Sequence, residues 1–383
     1  MQVIQFVLQN IKKGKAMNII YVIEDFSENG GVERIVSEKA NTLSTQYNHN
    51  VTLISVYRDN RPQQYQLAKD INLILLDVPF AKKTKNPISR LYSRMNTMVT
   101  AIMRLNKVIS KLNPNIIFFA TTLGAILLPF CRTKARKIYE SHLARNFNPF
   151  NKMFFLTEKK AERIICLTSG DAKEYKHAKQ VDIISNYIND VTSYTNDYSV
   201  KKAIAVGRLE QQKGFDILIY CWKDISRQFP DWTLDIYGDG SCRESLQQQI
   251  IDLQLEDKVK LCGRCTNIMD VYPKYSLHLM TSRYEGLPMT LIEAQACGLP
   301  SVVFDFQYGA SDIVSDSYNG YIVKQGNTIQ FTEAVIKMMS SEELRKECGK
   351  NAIKTGKLYS KKNIINKWLH IINEYDYKKN ELK

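Results

Sequence analysis

The sequence predicts an α/β protein made of two parallel-sheet domains. Three observations carry this. Short apolar runs alternate with amphipathic stretches along the whole chain, the mark of repeated strand–helix–strand units. The rhythm stops once, in a polar aperiodic stretch at 186–199, and then restarts. The 383 residues also exceed what one hydrophobic core usually holds.

In the first half, Asn18–Ile23 and residues 51–56, 71–76, 115–120, 137–140 and 163–167 read as buried strands, with helical patterns at 33–44 and 88–112. In the second, strands fall at 203–207, 233–238, 259–262, 277–281 and 301–304. Helices follow at 215–227, 241–252, 268–274, Met289–Ala296, 328–339, 342–355 and 361–375. The implied division is an extension at 1–16, a first domain at 17–190, a linker at 191–201, a second domain at 202–360 and a terminal helix at 361–383 packing back towards the first.

Composition narrows the class. The chain is 44% hydrophobic and 24% charged, which excludes collagenous, disordered and multi-span membrane proteins. No apolar run reaches the roughly 18–20 residues a spanning helix needs. Residues 1–16 are apolar first and basic afterwards, the reverse of a signal peptide. Eight scattered cysteines form no disulfide framework and point to a reducing, cytoplasmic setting. Cys262 and Cys265 lack further ligands nearby, so they read as ordinary thiols; His278, inside an apolar run, is a poor metal ligand.

The net charge of +14 is unevenly spread: residues up to Thr195 carry +13, the remainder +1. Within 88–112, Ile88, Leu91, Met95, Met98, Ile102, Leu105, Val108 and Leu112 recur at helical spacing. Arg90, Arg94, Arg104, Lys107 and Lys111 fall largely along another stripe, and no acidic residue lies between Asp77 and Glu140. A solvated helix face is the bland reading; an anionic membrane or acceptor face is the sharper one. Nucleic acid fits poorly, because aromatic interleaving is limited to Tyr92 and no recognition motif is present.

The chemistry-bearing segments lie in the second half. Gly207-Arg208-Leu209-Glu210-Gln211-Gln212-Lys213-Gly214 follows a strand and opens a helix. Two cations at a strand's carboxyl end suit a diphosphate, or form surface salt bridges. Ser282-Arg283-Tyr284-Glu285-Gly286-Leu287-Pro288 also follows a strand, and the helix after it offers free N–H groups to an anion. Glu285 and Glu293 are eight residues apart, about two helical turns, which predicts one shared helix face. In its apolar setting Glu293 needs a partner, either a ligand hydroxyl or a structural cation.

Four segments carry a resemblance. They are Gly-Gly-Val-Glu-Arg-Ile-Val at 30–36, Val-Gly-Arg-Leu-Glu-Gln-Gln-Lys-Gly at 206–214, Tyr-Gly-Asp-Gly at 237–240 and, most specific, Ser-Arg-Tyr-Glu-Gly-Leu-Pro-Met-Thr-Leu-Ile-Glu-Ala-Gln-Ala-Cys-Gly-Leu-Pro at 282–300. Together they resemble family 4 of the retaining GT-B glycosyltransferases, strongly in the second half and weakly in the first. The resemblance implies two Rossmann-like domains facing across a cleft, the first for the acceptor and the second for a nucleotide sugar. It implies that Arg208 and Lys213 meet the donor diphosphate. Glu285 contacts the donor sugar or sits beside the reacting centre, and Glu293 binds the ribose hydroxyls. Gly286, Leu287 and Met289 line the phosphates, the last two through backbone amides. Gly30 and Gly31 let the first domain's backbone approach the phosphates, Gly263 and Arg264 meet the nucleobase, and His142 stands near the donor sugar. One departure is Gly309-Ala310, where relatives that transfer amino sugars often show Gly-Pro.

The reaction so implied is a hexosyl transfer in surface polysaccharide, capsule, lipopolysaccharide or other glycan biosynthesis. A hexose or N-acetylhexosamine leaves a nucleotide sugar, UDP-linked by overall similarity, for a hydroxyl of a lipid-linked or oligosaccharide acceptor. No cofactor is expected. No Asp-x-Asp motif occurs, so fixed protein charges rather than a metal are expected to hold the leaving diphosphate. The charge map places such an enzyme peripherally on the cytoplasmic face of a membrane. Competing readings are a phosphorylase or nucleotide-sugar epimerase of similar shape, and a sugar-binding protein without turnover. A dinucleotide oxidoreductase is disfavoured: Gly238-Asp239-Gly240 lacks the third spaced glycine.

Overall fold

The computed structural model describes residues 16–28, 30–57, 63–81, 85–148, 150–189 and 196–380. Most of the expected extension and part of the expected linker lie outside them. The chain forms two compact units. One contains the described residues through Leu167, Asp171–Ile184 and the chain from Ile365; the other contains Thr168–Gly170 and Ser185–Ile364.

The first unit holds a seven-stranded sheet in the order β3-β2-β1-β4-β5-β6-β7. Its strands are β1 (Asn18–Ile23), β2 (Asn50–Tyr57), β3 (Asn72–Val78), β4 (Ile116–Ala120), β5 (Arg136–Ser141), β6 (Arg163–Cys166) and β7 (Val181–Ile183). All neighbours pair in parallel. Parallel sheets are covered on both faces, and β1 and β4 accordingly read as continuous apolar runs, Ile-Ile-Tyr-Val-Ile and Ile-Ile-Phe-Phe-Ala. The order turns back between β1 and β4, so the loops after these strands flank the sheet's switch point, where such sheets bind ligands.

Helix α1 (Gly31–Thr45) follows β1. Helix α2 (Pro87–Leu112) starts cleanly: Asn86 Oδ1 accepts from Ile88 N (2.9 Å) and Ser89 N (3.4 Å), with Pro87 at the first position. It ends at Asn113 in the left-handed region, φ 43°. The expected single apolar stripe is split. Ala101, Leu105 and Ile109 are buried and Met98, Ile102, Val108 and Leu112 pack against the core, whereas Ile88, Leu91 and Met95 face outward. Arg104 also departs from expectation. Its Nη1 donates to Leu76 O (2.8 Å) and Asp77 O (2.5 Å), closing the end of β3 rather than standing free.

The second unit holds a six-stranded sheet in the order β10-β9-β8-β11-β12-β13. Its strands are β8 (Lys202–Val206), β9 (Thr233–Tyr237), β10 (Val259–Gly263), β11 (Leu277–Met280), β12 (Ser301–Asp305) and β13 (Gly320–Lys324). All are again parallel. Here the switch point lies between β8 and β11, which sets the loops 207–214 and 281–288 side by side. Helices α3 (Phe215–Gln228) and α4 (Met289–Ala296) follow those loops. The helix expected at 268–274 is two 3-10 turns, Ile268–Asp270 and Tyr272–Lys274; Pro273 has no N–H for a continuous helix.

The terminal helix α5 (Lys361–Asn380) packs on the first sheet from Ile365 onward. Trp368 meets Phe118 edge-on at 5.6 Å, Arg136 Nη1 donates to Ile371 O (2.9 Å), and Arg163 pairs with Glu374 (2.6 Å).

Candidate functional site

In the second unit the strand-end loops are stitched by backbone bonds. Gly207 N donates to Tyr237 O (3.0 Å), Leu209 N to Asp239 O (3.0 Å) and Gly238 N to Gly263 O (2.8 Å). Gly214, at φ 66°, ends the turn Gln211–Lys213 and begins α3; a Cβ there would overlap Thr281 O. Thr281 Oγ1 donates to Gly214 O (2.9 Å), and Arg283 N donates to Gln212 O (2.7 Å). Arg283 also forks onto Asp216 (2.8 and 2.6 Å), and this hydrogen-bonded guanidinium holds the Asp216 carboxyl below its usual range.

That clamp brings two of the expected residues, Lys213 and Glu285, together. Lys213 Nζ lies 2.6 Å from Glu285 Oε1, and both side chains are largely buried. The same oxygen accepts Ser282 Oγ (2.7 Å), and Gln212 Nε2 reaches Oε2 at 3.5 Å and Tyr284 O at 2.9 Å. The Lys213 stem lies across Gly207, where a Cβ would stand 3.1 Å away. Arg208 is exposed and makes no ion pair among the described residues. The nearby Glu210 is occupied by Ser241, whose N (3.0 Å) and Oγ (2.7 Å) donate to it and lower its pKa. The guanidinium is therefore available to an anion.

Glu285 and Glu293 do not share a helix face. Glu285 lies in the loop, and α4 begins only at Met289. Residues 281–288 form no helical turn and Pro288 only caps α4, so the two-turn spacing does not apply. Glu293 is half-buried on α4. Its charge acts on Tyr272 and Cys297, whose thiol is pushed up to about 12, first by burial and then by Glu293.

At the start of α4, Leu291 N (3.0 Å) and Ile292 N (3.3 Å) both donate to Pro288 O. Thr290 Oγ1 is buried without a hydrogen-bond partner among the described residues. Gly309, at φ 94°, packs on Pro288 from the neighbouring loop. Gly263 has φ 76° with open space at its Cα, and Arg264 is a solvent-exposed partner of Asp239 at 3.7 Å. Cys262 and Cys265 are free thiols, and burial raises the Cys262 pKa, the opposite of an activated thiol.

In the first unit Gly30 is the N-cap of α1, and its carbonyl accepts from Tyr65 Oη (3.0 Å). The Glu33 carboxylate folds back over Gly30 and would meet any Cβ placed there; Gly31 is open. Burial raises the carboxyls of Glu33 and Glu24, and their neighbours Asp25 and Glu28 add to it. The loop after β1 is thus locally acidic within a basic half. His142 follows β5, with Nε2 3.3 Å from Glu140 Oε2. Glu140 is buried and also accepts from Lys39 Nζ at 2.5 Å. Lys39 stands 3.7 Å above the Trp368 ring, with Tyr21 at 5.0 Å and Phe118 at 5.7 Å. Burial alone would raise the Glu140 carboxyl; Lys39 and His142 outweigh it and hold the group below its ordinary value.

Sequence reasoning passed over Gln212, Ser282 and Thr290. Thr290 carried a readable signal, a hydroxyl in the first turn of a helix that opens after Gly-Leu-Pro. Gln212 and Ser282 carried none, since their role depends on how two separate loops meet.

The family model for glycosyl transferases group 1 matches residues 192–355, the segment that holds Arg208, Lys213, Glu285 and Glu293. Residues 192–355 thus carry the signature of a group 1 glycosyltransferase. The amylovoran biosynthesis glycosyltransferase AmsD of Erwinia amylovora is 28% identical over 376 residues, covering 93% of this chain and 99% of that one. The poly(ribitol-phosphate) alpha-N-acetylglucosaminyltransferase of Staphylococcus aureus is 28% identical over 246 residues, with 64% and 48% covered. Among solved structures, the lipopolysaccharide outer core galactosyltransferase WaaB superposes with a TM-score of 0.77 at 17% identity, covering 95% of this glycosyltransferase and 100% of that chain. TarM of S. aureus, in complex with UDP, gives 0.69 at 16% identity, covering 93% and 100%. Both share the GT-B fold. No helix among the described residues of this transferase is long and apolar enough to cross a membrane.

Proposed function

We propose that this glycosyltransferase moves a hexose or N-acetylhexosamine from a UDP-sugar to an acceptor hydroxyl in surface polysaccharide or glycan biosynthesis, retaining the anomeric configuration. The observation that carries the donor side is the Lys213–Glu285 pair where the two switch-point loops meet, with the exposed Arg208 on the same loop as Lys213 and, at the start of α4, a Thr290 hydroxyl without a hydrogen-bond partner among the described residues. The Arg208 cation and a helix N-terminus at one switch point suit a diphosphate in charge, with Lys213 turned to Glu285.

In this reading Arg208 and the α4 amides stabilise charge on the departing diphosphate, while Lys213 keeps Glu285 oriented beside the donor sugar. Glu293 takes the ribose hydroxyls, and Gly263-Arg264 borders the base. His142 contributes a polar contact to the reacting sugar from the first unit. No metal takes part, because the fixed cations supply the countercharge. The names of the relatives above, which speak of amylovoran, poly(ribitol-phosphate) and the lipopolysaccharide outer core, support a glycan acceptor. The basic first half supports a lipid-linked acceptor met at an anionic, cytoplasm-facing membrane surface.

The test is a thermal-shift panel of UDP, GDP and their sugars, followed by product analysis. UDP-sugars are expected to stabilise the protein, with UDP released only when an acceptor is present. Stabilisation by GDP-sugars alone would replace the donor assignment, and acceptor-independent turnover would refute transfer.

A further inference from the structure

We infer that the first turns of α2 insert their apolar side chains into an anionic lipid bilayer surface. This deepens the membrane part of the proposed function and rests on it.

Helix α2 is apolar on two faces whose centres lie about 100° apart. Ala101, Leu105 and Ile109 fill the core. On the second face Ile88 is 79% exposed, Leu91 61%, Met95 60%, Val99 52% and Met103 68%. At 100° per residue these five fall within an arc of about 120°, and Tyr92, 74% exposed, lies inside it. Single exposed apolar residues are ordinary; a continuous stripe four turns long marks a contact surface.

Charge selects the occupant. Arg94 and Lys107 emerge on either side of the stripe, with Arg90 and Lys111 beyond them, all exposed. From Asp77 to Glu140 the sequence holds no acid that would repel an anionic headgroup. Arg104 does not contribute, since it is bound to Leu76 O and Asp77 O. A partner that offers a wide apolar layer beneath uniform negative charge is an acidic bilayer. A helix of this pattern lies in the interface plane, its apolar face among the upper acyl carbons and its cations reaching up to the phosphates.

The full chain is incubated with phosphatidylcholine vesicles, with or without phosphatidylglycerol, in the absence of donor and acceptor. The wild type is expected to float with the acidic vesicles. The triple variant Leu91→Ser/Met95→Ser/Val99→Ser is expected to bind at least about tenfold more weakly. Its thermal shift with UDP, which reads the donor site alone and so tests the transferase proposal separately, is expected to stay unchanged. In a Tyr92→Trp variant, lipids brominated on the acyl chain are expected to quench the new fluorescence. Equal binding of triple variant and wild type, or an unquenched Trp at 92, would overturn the inference. So would a wild-type dimer that the triple variant dissolves, or binding that appears only after residues 1–16 are deleted, because the stripe would then be covered by protein.

Discussion

Lys39 Nζ and Glu140 Oε2 form a buried ion pair at 2.5 Å, and Glu140 in turn holds His142. A buried charge left without its partner costs about 3–5 kcal/mol. Lys39→Met is therefore expected to destabilise the first unit by that amount, measured by urea unfolding with Trp368 as reporter. Adding Glu140→Gln to it removes the stranded carboxylate and is expected to restore more than half of the loss. Additive losses in the double variant would show that the two residues are not coupled.

Arg208 is exposed and unpaired among the described residues, so its removal touches little of the fold. Arg208→Ala is expected to leave the melting temperature within about a degree, a surface-substitution effect. It should lower kcat/KM by well over about tenfold, as expected for a lost charged contact to the transition state. Steady-state kinetics with the UDP-sugar identified above checks this.

Thr290 gives the opposite sign for stability and function. Its buried Oγ1 has no hydrogen-bond partner among the described residues. Thr290→Val keeps the shape and removes an unsatisfied hydroxyl, so stability is expected to hold or rise by about 1 kcal/mol. Affinity for UDP, by calorimetric titration, is expected to fall about five- to tenfold. Unchanged affinity would remove Thr290 from the phosphate site.

Gly214 couples two loops through a left-handed backbone and a close approach to Thr281 O. Gly214→Ala is expected to cost more than about 2 kcal/mol, combining backbone strain with overlap. It should weaken UDP binding in parallel, since Arg208 and Lys213 lie on one loop and Glu285 on the other. A variant that melts early yet binds UDP normally would contradict the clamp.

His278 is buried, bonded through Nδ1 to Ser301 Oγ at 3.2 Å, and burial lowers its pKa from 6.5 to about 3. Below pH 6.5 the unfolded chain takes up a proton that the folded one refuses, so stability falls as pH drops. Between pH 7 and 5 the wild type is expected to lose about 2 kcal/mol more than His278→Leu, at about 1.4 kcal/mol per unit. Urea midpoints at the two pH values measure the difference.

Where burial alone decides an element, the amino-acid pattern was enough. Ile19 to Ile23 and Ile116 to Ala120 are apolar throughout because both faces of a parallel strand are covered. Two strands escaped notice. β7 is a three-residue edge strand, and β13 opens on Gly320 and carries the polar Lys324 at its end. The stripe on α2 was legible as helical but not as two-faced, since periodicity does not say which apolar side meets protein. In the donor site Arg208, Lys213 and Glu285 were readable as motifs. The bonds from Ser282 and Gln212 to Glu285, and the vacancy at Thr290 Oγ1, were not, because they arise from the β8–β11 switch point.

The return of α5 to the first sheet has a practical meaning for enzyme engineering. Half of this catalyst is written at both ends of its gene: Trp368, Ile371 and Glu374 complete a unit whose strands end at Ile183. Grafting the first 184 residues onto a related scaffold would strip from Lys39 the Trp368 ring that lies 3.7 Å from it. A working chimera must transplant the last nineteen residues as well, as a split cassette.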